Sequence, residues 1–193
     1  MTFFIGDPVE KTVVDEIRSW SKKILEKPNK FFNNLAPCPF ARGAWLDDKV
    51  DFLFKNEDSY QALYTALSQW EDTKDLAILV DFTFDEDPDK FYGFLDEVNT
   101  AISKGFFIDR NMWVMGFHPY DEAPEFSEEA DFEPLTDVNY AMVFVQRLSK
   151  LQESAYKIKK NGYYDNYDEE YNASYIFNRR EELYRRLKNG NGP

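Results

Sequence analysis

Seven residues limit the fold more than any others. Leu76-Ala-Ile-Leu-Val-Asp-Phe82 is an almost unbroken apolar run. A half-exposed strand alternates, so a continuous run of this length suits a central strand covered on both faces. The neighbouring segments can supply the cover. Val13, Val14, Ile17, Trp20, Ile24 and Leu25 recur at helical spacing within residues 8–33. Asp7 is the expected N-cap there, Pro8 the first helical residue, and Pro28 the point where the helix breaks or ends. Further helices are expected at 57–72, 88–104, 148–160 and 168–188, with Gly105 capping the third of these five. Further strands are expected at 49–54, 111–117 and 140–147.

This alternation predicts an α/β or α+β fold. Its core is about four strands in a mixed sheet flanked by helices. The expected division is a single domain over 1–160 and a C-terminal, Tyr-rich and acidic helical appendage over 161–193.

Charge narrows the partners. The 193 residues carry 36 Asp and Glu against 23 Lys and Arg, a net charge of -13. A general nucleic-acid binder needs Lys and Arg to displace phosphate counterions, so nucleic acid is not an expected partner. An anionic membrane surface is disfavoured for the same reason. No apolar run reaches the roughly 20 residues of a membrane span. The N-terminus has neither a basic region nor an apolar stretch long enough for a signal peptide. One cysteine cannot form an internal disulfide, which points to a reducing compartment, and the expected location is the cytoplasm.

That cysteine, Cys38, sits in Pro37-Cys38-Pro39-Phe40-Ala41-Arg42. Pro39 suits the first position of a helix, so Cys38 is expected as its N-cap. A thiol there faces unpaired N–H groups, which favour the thiolate, and Arg42 would add positive potential. The alternative is a buried cysteine acting as a small hydrophobe. The only histidine, His118, follows a predicted strand and precedes Pro119. It is a candidate base, metal ligand or hydrogen-bond donor, or else a loop histidine bonded to backbone. Asp81 closes the central strand, and with parallel strands it would share an edge with His118. Cys38, His118 and Asp81 are therefore the candidate catalytic set. Phe40, Arg42, Pro119 and Arg147 are candidate substrate contacts. As metal ligands the three lack a fourth donor and a spacing signature. Asp85-Glu86-Asp87-Pro88-Asp89 has the charge of a cation loop but lacks its glycine and terminal glutamate, and reads better as a helix cap. The acidic loop at 119–138 reads as solvated surface.

Leu35-Ala36-Pro37-Cys38-Pro39-Phe40-Ala41-Arg42 and Phe117-His118-Pro119 resemble two motifs of a bacterial family known as domain of unknown function 1415. The likeness covers roughly residues 10–158 and supports Cys38, Pro39, Phe40, Ala41, His118 and Pro119 as site residues. The family's second strand ends in His-Pro, and here it ends in Asp81-Phe82. A further histidine of its last strand is missing. The Cys-Pro-Phe-Ala stretch is also similar to the helix start of omega-class glutathione transferases, but no matching first strand or Val-Pro turn accompanies it.

Three functions follow as expectations. The first is a small-molecule enzyme in which Cys38 is a nucleophile, redox thiol or metal ligand, with His118 as base and Asp81 orienting it. The second is an acidic protein-binding or inhibitory module with a basic partner and a structural Cys and His. The third is a divalent-metal enzyme using Asp81 and His118. No cofactor is indicated by any motif.

Overall fold

A computed structural model describes residues 8–70, 73–107, 110–120, 140–167 and 173–189. Among them are six α-helices and four strands, in an α+β arrangement. Helix α1 spans Pro8–Trp20 and runs on as a single π turn, Ser21–Leu25. The expected continuation to residue 33 does not form. Pro28 cannot donate to a helical ladder and pushes the residue before it toward extended backbone, so the chain leaves the helix at Glu26. The expected Asp7 cap and the acidic loop at 119–138, apart from Pro119 and Tyr120, lie outside the described residues.

Helix α2 (Ala41–Leu46) leads into β1 (Val50–Lys55). Helix α3 (Gln61–Gln69) returns the chain to β2 (Leu76–Asp81). Helix α4 (Pro88–Ser103) starts as its sequence demands: the Asp87 side chain accepts from the Asp89 N–H, and Pro88 takes the first turn. The acidic run before it is thus a cap. Gly105, just past the end, adopts φ 105°, a conformation open to glycine. The chain closes with β3 (Met112–Phe117), β4 (Ala141–Arg147), α5 (Leu148–Lys159) and α6 (Ala173–Lys188).

The sheet order is β1-β2-β4-β3. β1 and β2 are parallel, and β4 is antiparallel to both β2 and β3. All three strands other than β4 therefore end at one edge. The central run buries both faces, as its composition requires. Ile78 and Val80 join Val13 and Ile17 of α1, whereas Ala77 and Leu79 join Leu63 and Leu67 of α3 and Leu95 of α4. Leu183 and Tyr184 of α6 belong to this second cluster, so the C-terminal helix shares the core.

Edge strand β3 is closed at its middle by a side chain. Asn99 of α4 donates Nδ2–H to the Val114 carbonyl at 2.7 Å and accepts the Val114 N–H at 3.1 Å. Its amide copies the hydrogen bonds a fifth strand would make. Gly116, two residues on, lets α4 lie close. A Cβ there would overlap Leu95 and stand 2.7 Å from Phe91 Cε1.

Candidate functional site

Cys38 is held from both sides of its motif. Its N–H donates to the Leu25 carbonyl at 2.9 Å, tying it to the end of the π turn. Its own carbonyl accepts from the Ala41 N–H at 3.1 Å. The helix-capping position belongs to Phe40, whose backbone is already helical. Cys38 thus sits two residues ahead of the observed cap, because Pro39 and Phe40 form a turn ahead of α2 rather than its first residues. The backbone N–H groups of Phe40 and Ala41 do reach the thiol and favour its anion. Burial outweighs them and pushes the thiol up, and the nearby Glu26 carboxylate pushes it further. The expected low-pKa thiolate is replaced by a thiol held in its neutral form.

Several residues that sequence reasoning passed over are tied to Glu26, the carboxylate near the thiol, or to the motif itself. Ser21 is buried in the π turn, accepts from Trp45 Nε1 at 3.1 Å and donates to Glu26 Oε1 at 2.9 Å. Arg18 pairs with the same carboxylate and stacks over Trp45 at 4.9 Å. Burial raises the Glu26 carboxyl, but Arg18 and Ser21 more than offset it, and the net shift is downward. Arg42 adds to this. Its charge serves Glu26, where the sequence reading had assigned it to the thiol. From the C-terminal side, the Tyr163 hydroxyl donates to the Pro37 carbonyl while its ring stacks on Phe32 at 4.8 Å. Only the helical pattern around Trp20 hinted at the π turn. Nothing local could have found Tyr163.

His118 occupies a different shell. It is 1% exposed and boxed by Phe84, Phe91 and Tyr120, with ring centroids 5.0, 5.3 and 5.7 Å away. Nδ1 accepts the Tyr120 N–H at 3.1 Å, which leaves Nε2 to donate to the Asp85 carbonyl at 2.8 Å. Both ring nitrogens are spent on backbone. None of the groups named around His118 is among those named around Cys38.

Asp81 does end at the same edge as His118, but β4 lies between their strands. Two strand spacings separate them, about 10 Å. Its partner is instead Lys55, at the end of neighbouring β1, at 2.9 Å. Asp81 Oδ1 also accepts from the Thr83 N–H at 2.9 Å, and Thr83 Oγ1 binds the Lys55 ammonium. The Tyr60 hydroxyl faces the same carboxylate. Burial first, then the Asp81 charge, push that hydroxyl up to about 12. The ion pair is nearly inaccessible, with side chains 3% and 0% exposed.

The proposed substrate contacts scatter. Phe40 is 43% exposed, and Arg42 is exposed beside it. Pro119 follows His118 and is half-buried. Arg147 is buried at the opposite edge of the sheet, paired with Met112. It donates to the Lys74 and Arg110 carbonyls at 3.2 and 2.9 Å and lies over Trp70 at 4.1 Å. It straps two loops together. Among the described residues, no group of three His, Cys, Asp or Glu stands close enough to share a metal ion. No described helix is long and apolar enough to cross a membrane. No family model, curated protein or solved structure matches the chain.

Proposed function

We propose that this protein is a binding module for a basic partner, with Cys38 and His118 serving its fold. The observation that carries the reading is the state of His118. A general base needs a free nitrogen and access to the reacting proton. Here both nitrogens are engaged by backbone and the ring is buried. The net charge of -13 supplies the attraction for a cationic surface. The kinship to domain of unknown function 1415 stays part of the proposal, as a divergent member.

One observation favours the enzyme reading. Glu26 stands near the Cys38 thiol and is itself held ionised by Arg18 and Ser21. A substrate that displaced water there would meet a thiol and a carboxylate together.

The test uses a fluorescent Lys-rich peptide and a neutral peptide of equal length. The basic peptide is expected to bind at low salt, to weaken steeply as salt rises, and to bind Cys38→Ala as well as the parent. No binding at low salt, or equal binding of the neutral peptide, overturns the module.

A further inference from the structure

The two edges of the sheet differ. β3 is closed at its middle by the Asn99 amide, and β1 is the opposite edge. The Lys49 and Lys55 carbonyls accept from the N–H groups of Leu76 and Phe82, at 3.1 Å each. Strand backbone groups alternate in direction, so Lys49, Asp51, Leu53 and Lys55 turn theirs toward β2. The N–H and C=O groups of Val50, Phe52 and Phe54 then face outward. Among the described residues no hydrogen bond reaches them.

β1 carries none of the devices that commonly blunt an edge. It holds no Pro or Gly, and its register with β2 is unbroken over all six residues. Its two charges are already buried and paired. Lys55 holds Asp81 at 2.9 Å, and Asp51 stands 3.8 Å from Lys74. An added strand would therefore desolvate no free charge of β1 itself. On the face shared with α1, Trp45 tilts against Phe52 at 5.7 Å, and Phe52 stacks on the half-buried Phe54 at 6.5 Å. Acids stand at both ends. Asp47 and Asp48 precede the strand, Glu57 and Asp58 follow it, and all four are exposed. Lys74 meets Asp48 at 3.2 Å. Among the described residues no cation pairs with Asp47, Glu57 or Asp58.

We propose that β1 accepts an extended strand of a partner protein, one with an apolar middle and Lys or Arg at both ends. The inference rests on the basic-partner reading and gives it a surface. The outward N–H and C=O groups would supply main-chain hydrogen bonds, and the rings beside them would pack the apolar residues. The unpaired acids at each end select the flanking cations. The six residues of β1 set the distance between those cations at roughly 20 Å. A second copy of β1 fits worse. Antiparallel pairing centred on Phe52, which uses all the outward groups, sets Asp47 against Glu57 and Lys49 against Lys55 across the two copies. Like charges directly opposite one another destabilise a strand pair. Each copy also brings a net charge of -13.

The probe is a fluorescent peptide, Lys-Lys-Val-Thr-Val-Thr-Val-Lys-Lys, titrated with the full chain at about 20 mM salt. Two isomers accompany it, one N-methylated at its valines and the other at its threonines. Each removes N–H groups from one side of the strand only. One isomer is expected to lose at least about tenfold in affinity and the other to keep it. Hydrogen exchange at the Phe52 and Phe54 amides is expected to slow at least about tenfold on binding, while the Val114 amide keeps its rate. The variant Asp47→Lys, Glu57→Lys, Asp58→Lys is expected to weaken the peptide at least about tenfold, with unchanged far-UV dichroism. Should it misfold, Asp47→Asn, Glu57→Gln, Asp58→Asn must weaken the peptide instead. Isomers that bind equally overturn the strand edge, and salt-sensitive binding of both leaves the basic-partner reading standing. The edge alone also falls if this peptide fails to bind while a Lys-rich one succeeds. If neither binds, the reading falls with it. Phe52 and Phe54 amides that exchange slowly in the free chain and faster on dilution overturn the proposal by placing a second copy on the edge.

Discussion

If His118 serves the fold, truncating it must cost stability on a scale set by what it touches. His118→Ala removes a ring that is 1% exposed and packed against Phe84, Phe91 and Tyr120. Truncating a buried ring of this size costs about 2–4 kcal/mol. Its two hydrogen bonds, at 2.8 and 3.1 Å, add about 0.5–1 kcal/mol each. They count at the low end because Asp85 and Tyr120 are surface residues whose backbone water can reach once the ring is gone. The expected loss is about 3–5 kcal/mol, against a typical total of about 5–15. Equilibrium unfolding in urea reads it as a drop in midpoint at constant slope. Two isosteres divide the effect. An amide oxygen in His118→Asn stands where Nδ1 stood and keeps the Tyr120 bond. An amide nitrogen in His118→Gln stands where Nε2 stood and keeps the Asp85 bond. Each is expected to recover about 0.5–1 kcal/mol relative to alanine. A His118→Ala protein within about 0.5 kcal/mol of the parent would refute the reasoning, because that is the behaviour of an exposed surface residue.

Three further expectations follow from the same geometry. Gly116→Ala forces a methyl into Leu95 and Phe91, and should destabilise by about 1–3 kcal/mol in the same assay. Asn99→Ala strips both hydrogen bonds from Val114, costing about 1–3 kcal/mol, and the bared strand edge should raise aggregation followed by light scattering. The Cys38 thiol lies above its ordinary 9.0 and the Tyr60 hydroxyl above its ordinary 10.0 when folded. Both contribute stability that is complete below those values and lost as pH rises through the folded ones, so the urea midpoint should fall steadily from pH 9.0 upward. Tyr60→Phe should make the fall between 10.0 and about 12 less steep, the buried Tyr140, Tyr163 and Tyr164 hydroxyls, also raised, supplying the remainder. Thiolate absorbance at Cys38 that rises below pH 9.0 would contradict this.

Much of the fold was legible because its signals are local. The apolar run at 76–82 named the central strand, and Asp87-Pro88 marked the start of α4. The predicted strands fall within a residue or so of those observed. Strand order was not legible. Nothing in residues 140–147 says that the last strand enters between β2 and β3, and that insertion is what parts Asp81 from His118. The site was less legible still. Lys55 finds Asp81 across 26 residues, and Tyr163 reaches Pro37 across 126. Such pairs are set by tertiary packing and leave no periodicity. The thiol's protonation was misread for a related reason. The dipole argument at Cys38 was local and partly right, but burial, which depends on the whole fold, is the larger effect.

The position of β4 also sets the order in which the molecule can be completed. β1 and β2 pair through a short crossover and can form while the chain is still emerging from the ribosome. β3, although made next, has no strand to pair with until residues 141–147 arrive. Until then the edge of β2 that β4 covers in the finished sheet has no strand partner. The Asn99 amide guards only the outer edge of β3, the one that stays free in the finished sheet. Synthesis of the acidic stretch 121–137 fills that interval, so every nascent copy carries dense like charge in its sequence while that β2 edge is unpaired. Neighbouring chains carrying the same stretch would repel one another at the moment when their edges are most able to cross-pair.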